Sequence, residues 1–209
     1  MKVAKEGFRF IGPSAALSAV SFGLGWWPAG SFFLLLAAAF LFFFRDPGRR
    51  IPPDERLVLS PADGRVVKVE NGVLHPWLDS PAACVSIFLS LTDVHLTRAP
   101  LTGTIIKAEY KPGRFFRADK DEAGRENESN SLLIQGEKAR IVVKQIVGVA
   151  ARRIKCYVGE GDAVSRGQKL GLMYFGSRID LFLPPSVSLR TGLGDRVRAG
   201  ETSIGEFKS

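Results

Sequence analysis

The sequence predicts a mostly β fold, a two-halved sandwich of short strands, with an apolar helical hairpin at its N-terminus. Three observations predict it. Residues 10–44 carry no charged side chain and are interrupted midway by glycines and a proline. From residue 57 onward, short runs rich in Val, Ile, Leu and aromatics alternate with turn residues, and no long helical periodicity appears. A glycine turn around Gly161 has the form that opens a strand pair.

In the N-terminal segment, Gly23, Gly25, Pro28 and Gly30 surround Trp26-Trp27 and break a helix. Two apolar pieces remain, each short for a full crossing of about 20 residues. Lys2, Lys5 and Arg9 precede the segment, and Arg45, Arg49 and Arg50 follow it. Positive charge at both ends favours a re-entrant or in-plane hairpin with both ends on the cytoplasmic side; one tilted span is the alternative. A cleaved secretory signal is a poor fit, because the run ends in Phe42-Phe43-Phe44-Arg45-Asp46-Pro47. Residues 1–50 are therefore read as a membrane-associating hairpin and linker, and residues 51–209 as a β-rich domain.

Lys and Arg number 29 against 21 Asp and Glu, a net charge of +8 that calls for an acidic partner. The apolar segment beside basic clusters selects anionic lipid over nucleic acid. Cys84 and Cys156 lack CxxC spacing and are read as buried free thiols in a reducing compartment. With only His75 and His95 beside them, no metal site is expected. His75, before Pro76, reads as an exposed loop residue.

Strands are predicted over 57–59, 65–69, 83–91, 103–110, 132–135, 140–149, 154–158, 169–174 and 179–183. The polar stretch 111–130 is read as a long excursion from the sheet, and loops of that length are usually functional or mobile. Gly161-Asp162-Ala163-Val164 with Gly167-Gln168-Lys169-Leu170 resembles the turn of lipoyl and biotinyl carrier domains, which implies a barrel-sandwich fold. Tight glycine turns and an Asp bonded to its own backbone are its physics. Ser60-Pro61-Ala62-Asp63-Gly64-Arg65-Val66 is read as a weaker relative of it. No modifiable Lys stands at a hairpin tip, so the fold is expected without the carrier function.

Gly176-Ser177 lies between strand-like residues, Leu172 to Phe175 before it and Arg178-Ile179-Asp180 after. It is either a bulge in a bent strand or the site of an internal acyl shift, in which Ser177 attacks the carbonyl of Gly176. A preceding glycine helps that attack, since it tolerates unusual backbone angles and leaves its carbonyl open. Asp63 reads equally as a turn residue, and His95 as a structural histidine. Together with Ser177 they also supply a nucleophile, a base and an orienting carboxylate.

The ordered set Phe43-Phe44-Arg45-Asp46-Pro47, Ser60-Pro61-Ala62-Asp63-Gly64, Asp93-Val94-His95 with Arg98-Ala99-Pro100, Glu126-Asn127-Glu128 and Phe175-Gly176-Ser177-Arg178 resembles the short-form phosphatidylserine decarboxylases. The resemblance implies cleavage between Gly176 and Ser177, with residues 1–176 as the β chain and 177–209 as the α chain. It implies that Ser177 becomes a pyruvoyl group, with no metal and no external cofactor, and that His95 and Asp63 assist. The expected reaction is decarboxylation of phosphatidylserine to phosphatidylethanolamine through a Schiff base on the pyruvoyl. The expected place is the cytoplasmic face of the cell membrane, as a peripheral or monotopic α/β heterodimer, with or without further oligomerisation.

Two departures stand beside the resemblance. Longer relatives cleave at Leu-Gly-Ser-Thr, and they carry a second histidine where Arg98 stands here. Arg98, Arg114 and Arg117 are the expected substrate-binding residues, the last two interleaved with Phe115 and Phe116 beside Lys120. A non-catalytic membrane-anchored adaptor and a pyruvoyl decarboxylase of a soluble amino acid are the alternative functions.

Overall fold

The break within residues 23–30 is a tight turn between two helices in the computed structural model, which describes residues 2–149 and 153–208. The chain divides between Gly48 and Arg49 into two compact units. In the first, α1 (Phe8–Gly23) and α2 (Trp27–Phe43) form the hairpin. Gly25 turns the chain at φ +75°, and Pro28 sits in the first turn of α2, where its missing N–H costs nothing. At the open end β1 (Lys2–Val3) pairs with β2 (Arg45–Asp46), so the two termini of the hairpin meet. The structure thus has two helices where the alternative had one tilted span.

The hairpin packs mainly small residues between its helices and turns large apolar ones outward. Ser14, Ser18 and Ser21 are buried, and the Ser18 hydroxyl donates to the Gly30 carbonyl at 2.8 Å. Gly30 makes room for the Phe22 ring, which a Cβ there would meet at 2.6 Å. Trp26, Trp27, Phe32 and Leu35 face outward. Small residues between helices and large apolar ones outside are the pattern of helices packed in lipid. Among the described residues no helix is long and apolar enough to cross a membrane.

The second unit is built of strands: β3 (Leu57–Leu59), β4 (Gly64–Val73), β5 (Ala82–Leu89), β6 (Leu96–Arg98), β7 (Gly103–Lys111), β8 (Ser129–Gln135) and β9 (Arg140–Val147). After them come β10 (Ile154–Cys156), β11 (Ala163–Val164), β12 (Lys169–Met173), β13 (Ser177–Leu183), β14 (Val187–Leu189), β15 (Arg196–Val197) and β16 (Ser203–Phe207). One short helix, α3 (Asp121–Glu126), lies in the polar excursion between β7 and β8. A sheet of eight strands, ordered β11-β7-β8-β9-β13-β5-β4-β15, faces two three-stranded sheets, β10-β12-β6 and β14-β16-β3. Val58, Ile87, Ile105, Leu132, Leu170 and Ile179 belong to the core, where the alternation of each strand directs its apolar face. The fold is mostly β, as the sequence predicts.

The two halves repeat one another, though not as the sequence suggested. Ser60–Val66 is not a relative of the glycine turn; it is the chain on which a second glycine turn packs. That second turn is Gly192-Leu193-Gly194-Asp195-Arg196-Val197 with Gly200, matching Gly159-Glu160-Gly161-Asp162-Ala163-Val164 with Gly167. In each, the Asp carboxylate accepts the N–H three residues before it, at 2.8 Å. Val66 N–H donates to the Asp195 carbonyl and Ile105 N–H to that of Asp162, both at 2.9 Å. Ser60-Pro61-Ala62-Asp63-Gly64 therefore corresponds to Ala99-Pro100-Leu101-Thr102-Gly103.

Both cysteines are free; Cys84 is buried and Cys156 only partly so. Burial, with the Asp180 charge beside it, pushes the Cys84 thiol up to about 12. His75 is half-buried rather than exposed, because its ring packs on Phe182 with centroids 4.6 Å apart.

Candidate active site

Ser177 is the first residue of β13 and pairs with Leu89 on one side and Val147 on the other. It is fully buried, and its hydroxyl has no hydrogen-bond partner among the described residues. A buried hydroxyl left unpaired costs about 1–3 kcal/mol, so its retention points to a use other than stability. The strand begins at Ser177 rather than at Ile179 because the two residues before it are left-handed. Gly176 has φ +70° and Phe175 has φ +46°. A side chain in that region costs about 1–2 kcal/mol, so the backbone is strained next to the buried hydroxyl.

His95 lies between β5 and β6 and is fully buried. Its loop is tied down by the Asp93 carboxylate, which accepts the Ser90 N–H and hydroxyl at 2.9 and 2.6 Å and pairs with Arg196 at 3.0 Å. The Gly176 N–H donates to His95 Nε2 at 3.1 Å. Nε2 is thus the acceptor nitrogen, and Nδ1 carries the proton that it donates to the Asp93 carbonyl at 3.0 Å. The histidine and the strained turn before Ser177 are brought together.

Asp63 engages other groups. Its carboxylate pairs with Arg49 at 2.9 Å, both side chains being largely buried, and accepts the Ala199 N–H at 2.8 Å. Arg98 is buried and donates to the Gly167 carbonyl at 2.9 Å. Its own N–H donates to the Pro61 carbonyl at 2.9 Å, beside the Asp63 turn. Arg114 and Arg117 are exposed on the excursion. Arg114 pairs with Glu126 at 3.6 Å and lies over the Phe116 ring, and Arg117 pairs with Asp119 at 3.0 Å. Among the described residues no group of three or more His, Cys, Asp or Glu side chains is placed to hold a metal ion.

Two residues around this site stand in motifs of the resemblance, which assigns neither of them a role. Arg178, next to Ser177, forms a buried two-bond pair with Asp180 at 2.6 and 2.9 Å and donates to the Lys120 carbonyl at 3.1 Å. Burial is the largest single effect and works against its charge, but the Asp180 hydrogen bond and the surrounding negative charge, Asp180 foremost, together outweigh it, so its pKa is raised. Asn127, buried, donates to the Phe116 and Val147 carbonyls at 2.8 and 2.7 Å and accepts the Phe116 N–H at 2.8 Å. The excursion is thereby fastened to the sheet beside Ser177. The Glu126-Asn127-Glu128 motif marks this residue in the sequence, but not what it bonds.

A mostly β unit holding a buried serine and histidine at a strained turn, preceded by an apolar hairpin, places the chain among enzymes rather than carriers. The family model described as Phosphatidylserine decarboxylase matches residues 36–205. The chain is 41% identical to a protein of Magnetococcus marinus over 99% of its own length and 95% of that protein's. It is 40% identical to proteins of Geotalea uraniireducens and Ralstonia nicotianae, over 97% and 98% of this chain and 95% of each relative. All three relatives are named phosphatidylserine decarboxylase proenzyme. The chain belongs to the phosphatidylserine decarboxylase family.

Proposed function

We propose that this chain cleaves itself between Gly176 and Ser177, converts Ser177 to a pyruvoyl group, and decarboxylates phosphatidylserine to phosphatidylethanolamine. The observation that carries the reading is the unbonded, buried Ser177 hydroxyl after a left-handed turn whose N–H rests on His95 Nε2. His95 takes the Ser177 proton, and the oxygen attacks the Gly176 carbonyl. The amide C–N bond breaks as the ester forms, which frees the serine amine. Loss of the serine α-proton then expels Gly176 as a carboxylate and leaves dehydroalanine, whose imine tautomer takes up water and releases ammonia.

The pyruvoyl carbonyl supplies the electron sink for the loss of carbon dioxide, the part that a cofactor plays in other decarboxylases. Ser177 fits that conversion because it is buried away from water and heads a strand paired on both sides. Asp63 assists from beside the site rather than by fixing the imidazole, since its carboxylate is held by Arg49 and the Ala199 N–H while the His95 ring nitrogens meet the Asp93 carbonyl and the Gly176 N–H. Arg98, Arg114 and Arg117 are the cations for the phosphodiester and carboxylate. The outward apolar face of the hairpin supports a peripheral or monotopic place at the cytoplasmic face of the cell membrane.

Denaturing electrophoresis with intact mass tests this. Purified protein should resolve into residues 1–176 and 177–209, with the smaller piece lacking a free amino terminus. Ser177→Ala should remain one chain and be inactive. A wild-type chain that stays whole yet decarboxylates phosphatidylserine would overturn the reading.

A further inference from the structure

The Gly176 carbonyl, which the proposed cleavage attacks, lies in a seat formed by two other segments. Gly148, one residue past the end of β9, runs alongside it. A Cβ built on Gly148 would lie 2.5 Å from the Gly176 carbonyl oxygen, closer than a carbon can approach, and 3.2 Å from the Cβ of Ala118. Ala118 is buried and belongs to the excursion. What holds that part of the excursion down is Asn127, through its bonds to Phe116 and to the carbonyl of Val147, the neighbour of Gly148. Gly148 has no positive φ that would call for glycine on its own account. The absence of a side chain there serves the carbonyl beside it.

We propose that Gly148 and Ala118, clamped by Asn127, form the seat that presents the Gly176 carbonyl to Ser177, so that Gly148 and Asn127 are positioning residues for self-cleavage. The inference rests on cleavage at Gly176-Ser177. The seat acts on the first step, the attack of the hydroxyl on the carbonyl, because that step requires the carbonyl carbon and the oxygen to be held in line. Once the bond is broken Gly176 is a free carboxylate end, and the seat has no further part in turnover by Ser177.

The test follows cleavage of freshly folded precursor by denaturing electrophoresis. Gly148→Ala should slow it on the order of 100-fold, the cost of misplacing a reacting group by about 1 Å. Adding Ala118→Gly should restore a large part of the rate, because the new methyl can then move away from the carbonyl. Hydroxylamine at neutral pH, which cuts an accumulated ester far faster than any peptide bond, should not release the 177–209 fragment from Gly148→Ala. The molecules that do mature should have wild-type turnover per pyruvoyl. If Gly148→Ala does not fold, Ala118→Val presses on the seat from the excursion side and should slow cleavage likewise.

Wild-type cleavage by Gly148→Ala, rapid cutting of it by hydroxylamine, or no relief from Ala118→Gly would each overturn the seat. An uncleaved wild-type chain would instead remove the underlying reading, and electrophoresis separates the two failures.

Discussion

Asp63 and Thr102 occupy the same place in the two halves of the β unit. Each side chain accepts the N–H of the residue before a turn glycine, Ala199 for Asp63 at 2.8 Å and Arg166 for Thr102 at 3.2 Å. The turn therefore needs an oxygen acceptor, and a hydroxyl suffices. In one half the acceptor is a carboxylate, and it comes with Arg49, whose side chain is only 5% exposed. Burying such a pair brings a desolvation cost that the hydroxyl avoids. The charge exceeds what the fold asks of that position, which makes the difference between the halves an argument for a chemical role of Asp63.

Exchanging the two residues is the strongest way to break this comparison. Asp63→Thr keeps an acceptor for the turn but leaves the buried Arg49 with Glu201, at 3.8 Å, as its remaining acidic partner among the described residues, so the precursor should still fold while its melting temperature drops by roughly 5–15 °C. Self-cleavage should slow on the order of 100-fold, the scale of acid–base assistance. A variant that matures at the wild-type rate would reduce Asp63 to a turn residue like Thr102.

The glycines of the paired turns sharpen the comparison next. Ile51 packs against both Gly167 and Gly200, and both glycines have positive φ, +80° and +74°. A Cβ on Gly167 would collide with the Ile51 side chain, whereas one on Gly200 would come to 3.1 Å. Gly167→Ala should therefore destabilise by more than Gly200→Ala, about 2–3 against 1–2 kcal/mol. Chemical denaturation measures both, and the reverse order would mean that the turns differ more than their backbones suggest.

Smaller effects should follow at the edges of the repeat. Thr102→Ala should cost about 0.5–1.5 kcal/mol with cleavage unchanged, the counterpart of the Asp63 result. Of the cysteines, Cys84 stays a thiol at pH 8, because burial raises its pKa to about 12. A thiol reagent should reach Cys156 in the folded protein and Cys84 only after unfolding. Mass spectrometry of labelled peptides would detect the opposite order.

Much of this molecule is legible in its sequence where the signal is local. The glycine-proline break yields the hairpin turn, and alternating apolar runs mark β4, β5, β7 and β9 to within a few residues. Ser177 and His95 stand in recognisable motifs, and the structure brings His95 to the turn before Ser177. The missed features depend on register. Nothing local tells that Asn127 bonds Val147, or that Gly148 borders the Gly176 carbonyl, since both follow from how β8, β9 and β13 align. The second glycine turn escaped because Leu193 and Arg196 replace the polar and small residues of the first copy, although Gly194, Asp195, Val197 and Gly200 keep its frame.

The placement of β13 bears on what becomes of the two pieces after a break at Gly176-Ser177. The strand lies between β9 and β5, hydrogen-bonded to both along most of its length. Further on, β15 borders β4, and β16 lies between β14 and β3. The 177–209 fragment would thus be woven through two sheets whose other strands belong to the larger piece. Its departure would require unravelling both sheets, a barrier of the size of global unfolding. Dilution would not part the fragments, and their association would be a matter of kinetics fixed at folding rather than of affinity.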